Sequence, residues 1–341
     1  MKARYPWLAG AALITILAGL SLFQNDWQRI PSNTLPDPGP ELDGNPSEPL
    51  SPLPLSLKLD ARKVALGDRL FHETRLSKDA TVACANCHNL KTGGVDRLAR
   101  SIGFGGQIGG INAPTVFNSG FNYRQFWDAR ARTLEDQIDG PLQHPAEMAG
   151  TWPKALETLT ADPRYRSEFA AVYHDGITIA NVKDAIATFE RSLVTPNSRF
   201  DLFLKGNQTS LSDFELSGYR LFKQIGCTSC HQGVNIGGNM MQKLGIIENY
   251  FGGRTHLTEA DQGRFNITRR EEDRYVFRVP SLRNVALTGP YLHDASAPTL
   301  EDAVRIMARY QLGLHLPEAD VARISAFLGT LTGEYKGVQL Q

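Results

Sequence analysis

The four cysteines of this chain fall in two clusters, Cys84-Ala-Asn-Cys87-His88 and Cys227-Thr-Ser-Cys230-His231. Both read C-x-x-C-H, the attachment signature of c-type haem. The spacing suits that chemistry, because two thiols add to the two vinyl groups of one porphyrin and the histidine that follows turns beneath the ring to ligate iron. A four-cysteine zinc ribbon wants its pairs closer together than 84 and 227, and needs no histidine directly after each pair. Disulfides, the other use of cysteine in an exported chain, leave both histidines unexplained. The motifs predict two covalent haems with His88 and His231 as proximal iron ligands.

What a haem does depends largely on its other axial position: filled by Met or His it transfers electrons, left open it binds and activates small molecules. Between His88 and His144 the chain has neither His nor Met, so the loop after the first motif supplies no ordinary ligand. The second half offers Met240, Met241, His256, His293, Met307 and His315. Met240 and Met241 follow His231 by only 9 and 10 residues, a short reach to the opposite face of a ring. Met307 sits in the helical run Leu300-Glu-Asp-Ala-Val-Arg-Ile-Met-Ala-Arg-Tyr310, far enough along to return over the haem. Ordinary core packing is an equal reading of a methionine there.

Repeated elements surround the two motifs. Gly67-Asp-Arg-Leu-Phe71 precedes the first and Gly218-Tyr-Arg-Leu-Phe222 the second, each closing an amphipathic helical pattern. Ser212 and Glu215 form a capping box at the start of the second of these helices. A matching helix follows later in each half, with Ile186, Phe189 and Leu193, then Ile324, Phe327 and Leu331, on one face for packing at a haem edge. The expected fold is mostly α: two tandem class I cytochrome c-like domains, 55–205 and 206–341. Pro196-Asn-Ser and Gly206-Asn-Gln interrupt the pattern near the boundary. A glycine-rich stretch, Ser101-Ile-Gly-Phe-Gly-Gly-Gln-Ile-Gly-Gly-Ile-Asn-Ala-Pro114, misses the G-x-G-x-x-G spacing of a phosphate loop.

Bulk properties limit the alternatives. The chain has 341 residues with 36 basic and 36 acidic side chains, so it carries no net charge that would mark a nucleic-acid binder or a docker to acidic lipid. Lys2 and Arg4 precede the uncharged apolar run Trp7–Phe23, so residues 1–24 read as a signal anchor or a signal peptide. No A-x-A arrangement follows, which favours the uncleaved anchor in the inner membrane. Either form exports the rest of the chain to the periplasm. Residues 25–54 read as a proline-rich linker: the segment 31–54 holds eight of the nineteen prolines, four acidic residues and no Lys or Arg. Such a tether buries no core, and folding is expected to begin near Leu55.

From about Leu57 to Glu334 the sequence resembles the bacterial dihaem cytochrome c peroxidases. The resemblance rests on Phe126-Trp-Asp-Ala-Arg-Ala131, on Gln137 with Gly140-Pro-Leu-Gln-His-Pro-Ala-Glu-Met148, on Val279-Pro-Ser-Leu-Arg-Asn-Val285, and on Pro290-Tyr-Leu-His-Asp294. MauG-like enzymes, which oxidise tryptophans of a partner protein, share much of the pattern. The resemblance implies that the N-terminal haem is peroxidatic, with Glu147 as distal acid and base and Gln137 orienting peroxide. Taken alone, those two would be a surface acid and a helix-surface residue. It further implies that Trp127 lies on the electron path between the haems, and that Met307, fourteen residues after His293, is the axial ligand of the C-terminal haem. MauG-like enzymes carry Tyr at that place, and Tyr310 is a weaker ligand candidate. His293 is implied to lie behind this haem's ligands, and a calcium ion to be held by Asn112 with the carbonyls of Thr288 and Pro290.

Two departures from the family pattern stand out. Many of these peroxidases have His, in a Ser-Ile-Gly-His context, where this chain has Phe104, and that His ligates the peroxidatic iron until the second haem is reduced. His144 replaces the usual Asn three residues before the catalytic Glu. His72, His174, His256 and His315 match no ligand position. The expected activity is reduction of hydrogen peroxide, with electrons entering at the Met307-ligated haem from a small cytochrome c, a cupredoxin or a quinol; a homodimer is compatible with the resemblance. The competing readings are a MauG-like oxidase of a protein partner and a dihaem electron carrier without catalysis.

Overall fold

The computed structural model describes residues 48–341, so the apolar run at 7–23 and most of the expected linker lie outside the described residues. Among the described residues are eleven helices: α1 Ala61–Phe71, α2 Cys84–Cys87, α3 Leu134–Gln143, α4 Trp152–Ala161, α5 Pro163–Val172, α6 Ile179–Ser192, α7 Arg199–Leu204, α8 Asp213–Gln224, α9 Phe265–Thr268, α10 Leu300–Leu312 and α11 Glu318–Gly329. The strands of the described residues form two antiparallel ribbons. In one, β1 Met241–Lys243 pairs with β2 Val276–Arg278, Met241 opposite Arg278; in the other, β3 Glu334–Tyr335 pairs with β4 Val338–Gln339. The mostly helical expectation holds. No helix among the described residues is long and apolar enough to cross a membrane.

The same two-helix unit is built twice. Gly67 brings α1 against α6 so closely that a Cβ there would lie 1.9 Å from the Ala185 carbonyl oxygen, and Gly218 brings α8 against α11 with the same 1.9 Å to the Arg323 carbonyl. Only glycine allows the two helix backbones to meet at that point. One turn later the aromatic pairs close the contact, Phe71 on Phe189 at 5.2 Å and Phe222 on Phe327 at 5.3 Å between ring centroids. The capping box on α8 is present, Ser212 accepting from the Glu215 amide while the Glu215 carboxylate accepts from the Ser212 amide. Ile186, Phe189, Leu193, Ile324, Phe327 and Leu331 are all buried.

The apolar clusters do not divide at the expected boundaries of 54 and 205. Leu50 and Leu53, expected in the tether, are 2% and 1% exposed. Leu50 joins Phe200, Phe203, Tyr219 and Phe327 in a cluster of the C-terminal half, so α7 belongs to that half as well. Backbone pairing explains the strap: the Ser51 amide donates to Gly233, Gly233 donates to Pro49, and the Leu53 amide donates to the Asp201 carboxylate at 3.1 Å. Glu48 bonds Tyr219 and pairs with Lys223. The C-terminal tail crosses the other way, with Tyr335 against Phe117 at 5.1 Å and Leu340 packed on the cluster around Phe71 and Phe189. Proline content identified an extended segment; it concealed the leucines that bury one side of it.

A second repeat runs through the loops. Asn118 and Asn284 both adopt φ of 59°. Their amides donate to Leu193 (2.8 Å) and Leu331 (3.1 Å), and their side-chain oxygens accept from the amides of Thr195 and Gly333, each at 3.0 Å. The same sequence interval separates Asn112 from Arg278, Trp127 from His293 and Thr133 from Thr299. Residues with different side chains therefore occupy equivalent places in the two halves.

Candidate functional site

Each C-x-x-C-H motif sits on a single turn, Cys84–Cys87 as α2 and Cys227–Ser229 as a 3-10 turn, which keeps both thiols and the histidine at one place. None of the four cysteines is paired in a disulfide. Burial pushes the Cys84 and Cys227 thiols up to about 12. The Nδ1 atom of His88 lies 3.3 Å from the Gly94 carbonyl, and that of His231 3.4 Å from the Ile236 carbonyl. A carbonyl at Nδ1 keeps the proton there and leaves Nε2 as the ligand atom. Burial lowers both imidazoles, His231 to about 4, so each stays neutral as metal ligation requires. This donor set fits two covalently attached haems.

On the N-terminal side, Glu147 stands in the turn after α3. Burial holds its carboxyl above the usual carboxylate range, opposed by the charges of His144 and Arg130. Its side chain is 39% exposed, so it remains reachable by a small molecule, and His144 Nδ1 lies 3.6 Å from Oε1. Burial raises the Cys87 thiol, with smaller contributions in the same direction from Asp96 and Glu147. The glycine-rich loop is fixed to the same turn: the Phe104 amide donates to the Glu147 carbonyl at 2.6 Å. A Cβ on Gly103 would lie 2.2 Å from the Ala146 carbonyl oxygen, so this glycine is required by close approach. Gln137 is half-buried on α3. One turn on, Gly140 receives the Phe126 ring, on whose face Arg130 stacks at 3.4 Å.

On the C-terminal side, Cys227, Cys230, His231 and Met307 line one cavity whose walls are mostly apolar, among them Phe222, Leu282, Ile324 and Leu328. Met307 comes from α10. Tyr310, one turn further, packs instead on Tyr250, ring centroids 5.0 Å apart. Trp127, Asn112, Thr288, Pro290 and His293 reach the same cavity from the loops between the halves.

Trp127 donates from Nε1 to the Asn112 carbonyl at 2.9 Å and meets the His293 ring edge to face, centroids 6.4 Å apart. His293 is buried, stacked on Phe277 at 4.4 Å, with Nε2 2.8 Å from Asp261 Oδ1. The Asn112 side-chain amide donates to the Leu98 carbonyl at 3.0 Å, so its Oδ1 is the atom left for a cation. Asp261, His293 and Asp294 form a second group of potential metal donors, absent from the sequence reading. Arg254 fills that role already, 2.6 Å from Asp294 and 3.4 Å from Asp261. Sequence reasoning missed Asp261 and Arg254 because each meets His293 or Asp294 only through long loops.

Residues 61–209 match a family described as di-haem cytochrome c peroxidase. The chain is 49% identical over 290 residues to the cytochrome c peroxidase Ccp of Escherichia coli K12, a match covering 85% of this chain and 62% of that protein. It is 44% identical over 295 residues to cytochrome c551 peroxidase of Nitrosomonas europaea, covering 86% of this chain and 87% of the relative. Among solved structures, a MauG-like protein associated with microbial copper homeostasis aligns with a TM-score of 0.73 at 29% identity, covering 87% of this chain and 96% of that one.

Proposed function

The chain belongs to the di-haem cytochrome c peroxidase family, and from that premise we propose that it reduces hydrogen peroxide to two waters, consuming two electrons and two protons, at its N-terminal haem site. When bound, a haem with an open axial position supplies iron that coordinates and activates peroxide. The protein's own contribution there is proton handling: Glu147 takes the proton from one peroxide oxygen and returns it to the departing one. Burial supports that role by keeping the carboxyl above its ordinary range, while His144 at 3.6 Å and Arg130 limit the rise. Gln137, on the helix that leads into the Glu147 turn, is the group that orients peroxide by hydrogen bonding. Phe104, bonded through its amide to the same turn, offers iron no ligand atom.

Electrons enter on the C-terminal side, where His231 and Met307 share one cavity. Met ligation raises the potential of a haem and suits it to receive electrons from a soluble donor, the feature that favours peroxide reduction over a MauG-like oxidation of protein. Trp127 provides the aromatic bridge from that cavity toward the N-terminal site. The donor is a small cytochrome c, a cupredoxin or a quinol; the site of action is the periplasm, with residues 7–23 as membrane anchor. Calcium at Asn112, Thr288 and Pro290 would fix the loops that carry Trp127, through the Asn112 carbonyl.

The observation that carries this reading is the partly exposed Glu147 carboxyl, 3.6 Å from His144, on the turn whose Glu147 carbonyl seats the Phe104 loop. Peroxide-dependent oxidation of a reduced donor by the holoprotein tests it. Glu147→Gln should abolish most turnover at unchanged haem content, and wild-type turnover in that variant would remove the assignment.

A further inference from the structure

Arg278, the last residue of β2, is 4% exposed and lies on the wall of the cavity that holds His231 and Met307. Among the described residues it is the only Arg or Lys on that wall, and no Asp or Glu lines it. The side chain makes one hydrogen bond, from Nε to the Phe126 carbonyl at 3.2 Å. Neither terminal nitrogen has a partner among the described residues. The protein's other deeply buried arginine is treated quite differently. Arg283, 1% exposed, has Asp201 at 2.7 Å and further bonds to Ser198, Val234 and Ser51.

Removing a guanidinium from water without a counter-charge is unfavourable. Burial pulls the Arg278 guanidinium down to about 10, opposed only by the charge of Tyr123. Such an arrangement is stable where the missing negative charge arrives with a ligand. The ligand side is constrained by the motif: a porphyrin joined to Cys227 and Cys230 fills this cavity, and its anionic groups are two propionates. A planar guanidinium with both terminal nitrogens free matches a carboxylate in two parallel hydrogen bonds.

We propose that Arg278 is the anion-binding residue of the C-terminal cavity and that it holds a propionate carboxylate of the haem attached there. The inference rests on the haem assignment and adds a link to electron transfer. The Arg278 amide donates to the Trp127 carbonyl at 2.7 Å, and its Nε bonds the preceding residue, Phe126. Propionate, Arg278 and the Trp127 loop thus form one connected unit. In the N-terminal half the equivalent place is Asn112, whose amide donates to the His293 carbonyl at 2.8 Å. A fixed cation beside the ring also favours the less positive, reduced haem, so Arg278 raises the potential at the point of electron entry.

The test uses the holoprotein and the variants Arg278→Gln and Arg278→Lys, with haem content measured first by the pyridine haemochrome. Absence of haem from the wild-type chain would defeat the haem assignment itself. With two haems present, spectroelectrochemical titration should show the C-terminal haem midpoint lowered in Arg278→Gln. The oxidised-to-reduced ratio at fixed potential should rise about ten-fold, equivalent to about 59 mV for a one-electron couple. Arg278→Lys should retain part of the potential, and the N-terminal haem should move less. Failure of Arg278→Gln to retain haem, with retention in Arg278→Lys, also supports the proposal. Wild-type midpoints in both variants at full haem content, even with lowered thermal stability, would overturn it and leave Arg278 a structural residue.

Discussion

The indole of Trp127 meets the imidazole of His293 edge to face, ring centroids 6.4 Å apart, and the two residues hold equivalent places in the two halves of the chain. The symmetry extends to the backbone: the Arg278 amide donates to the Trp127 carbonyl and the Asn112 amide to the His293 carbonyl. One position of the repeat holds an indole bonded to Asn112 and the other a buried imidazole anchored by Asp261.

Trp127→Phe keeps an aromatic ring at that contact and removes the Nε1–H bond to Asn112. The cost to stability should be about 0.5–1.5 kcal/mol, the worth of one hydrogen bond. Stopped-flow reduction should show slowed electron transfer between the haems at normal haem content. A rate equal to wild type would reduce Trp127 to packing.

The pH profile of peroxide turnover should carry an acid limb from Glu147, since the carboxylate must be ionised to take a proton from peroxide. His144 and Arg130 pull this carboxyl down against the rise caused by burial. His144→Ala therefore moves the limb of kcat/KM to higher pH, and Glu147→Gln eliminates it with a loss of roughly 10²–10⁴-fold. A limb that stays in place in His144→Ala would show that the two groups do not interact.

Glu190, on α6, is 6% exposed with Oε2 lacking a partner, and burial pushes its carboxyl from 4.5 up to about 8. The folded chain keeps this proton at pH values where the unfolded chain has released it. The stability it contributes is complete below 4.5 and is lost as pH rises through about 8. Denaturant unfolding between those limits should become less pH-dependent in Glu190→Gln. An unchanged slope would place the pH dependence elsewhere.

Leu53→Ala should lower stability by about 2–5 kcal/mol, the usual effect of truncating a buried leucine. Leu55→Ala, two residues on and 67% exposed, should stay within about 0.5 kcal/mol. Equal effects in urea unfolding would mean that the strap does not pack in solution.

The haem motifs, the helix pairs of Gly67 and Gly218 and the capping box at Ser212 were legible because each depends on local spacing and residue type. Leu50 and Leu53 were hidden by the prolines around them, since a chain with few helical residues can still bury every third side chain when another segment offers backbone groups. Asp261, Arg254 and Arg278 have no local signature. Their significance lies in which partner is present or missing across a long loop: His293 for Asp261, both acids for Arg254, and for Arg278 a lone carbonyl with no counter-charge. Glu147 alone reads as a surface acid, and only its family context and the folded turn that seats the Phe104 loop distinguish it.

The most direct test of the account is the EPR and optical spectrum of the fully oxidised holoprotein, before and after peroxide. With Phe104 in place of a ligand, the oxidised protein should show one high-spin ferric haem that reacts with peroxide without prior reduction, beside one low-spin His/Met haem. Two low-spin signals, one of them bis-His and neither altered by peroxide, would contradict it.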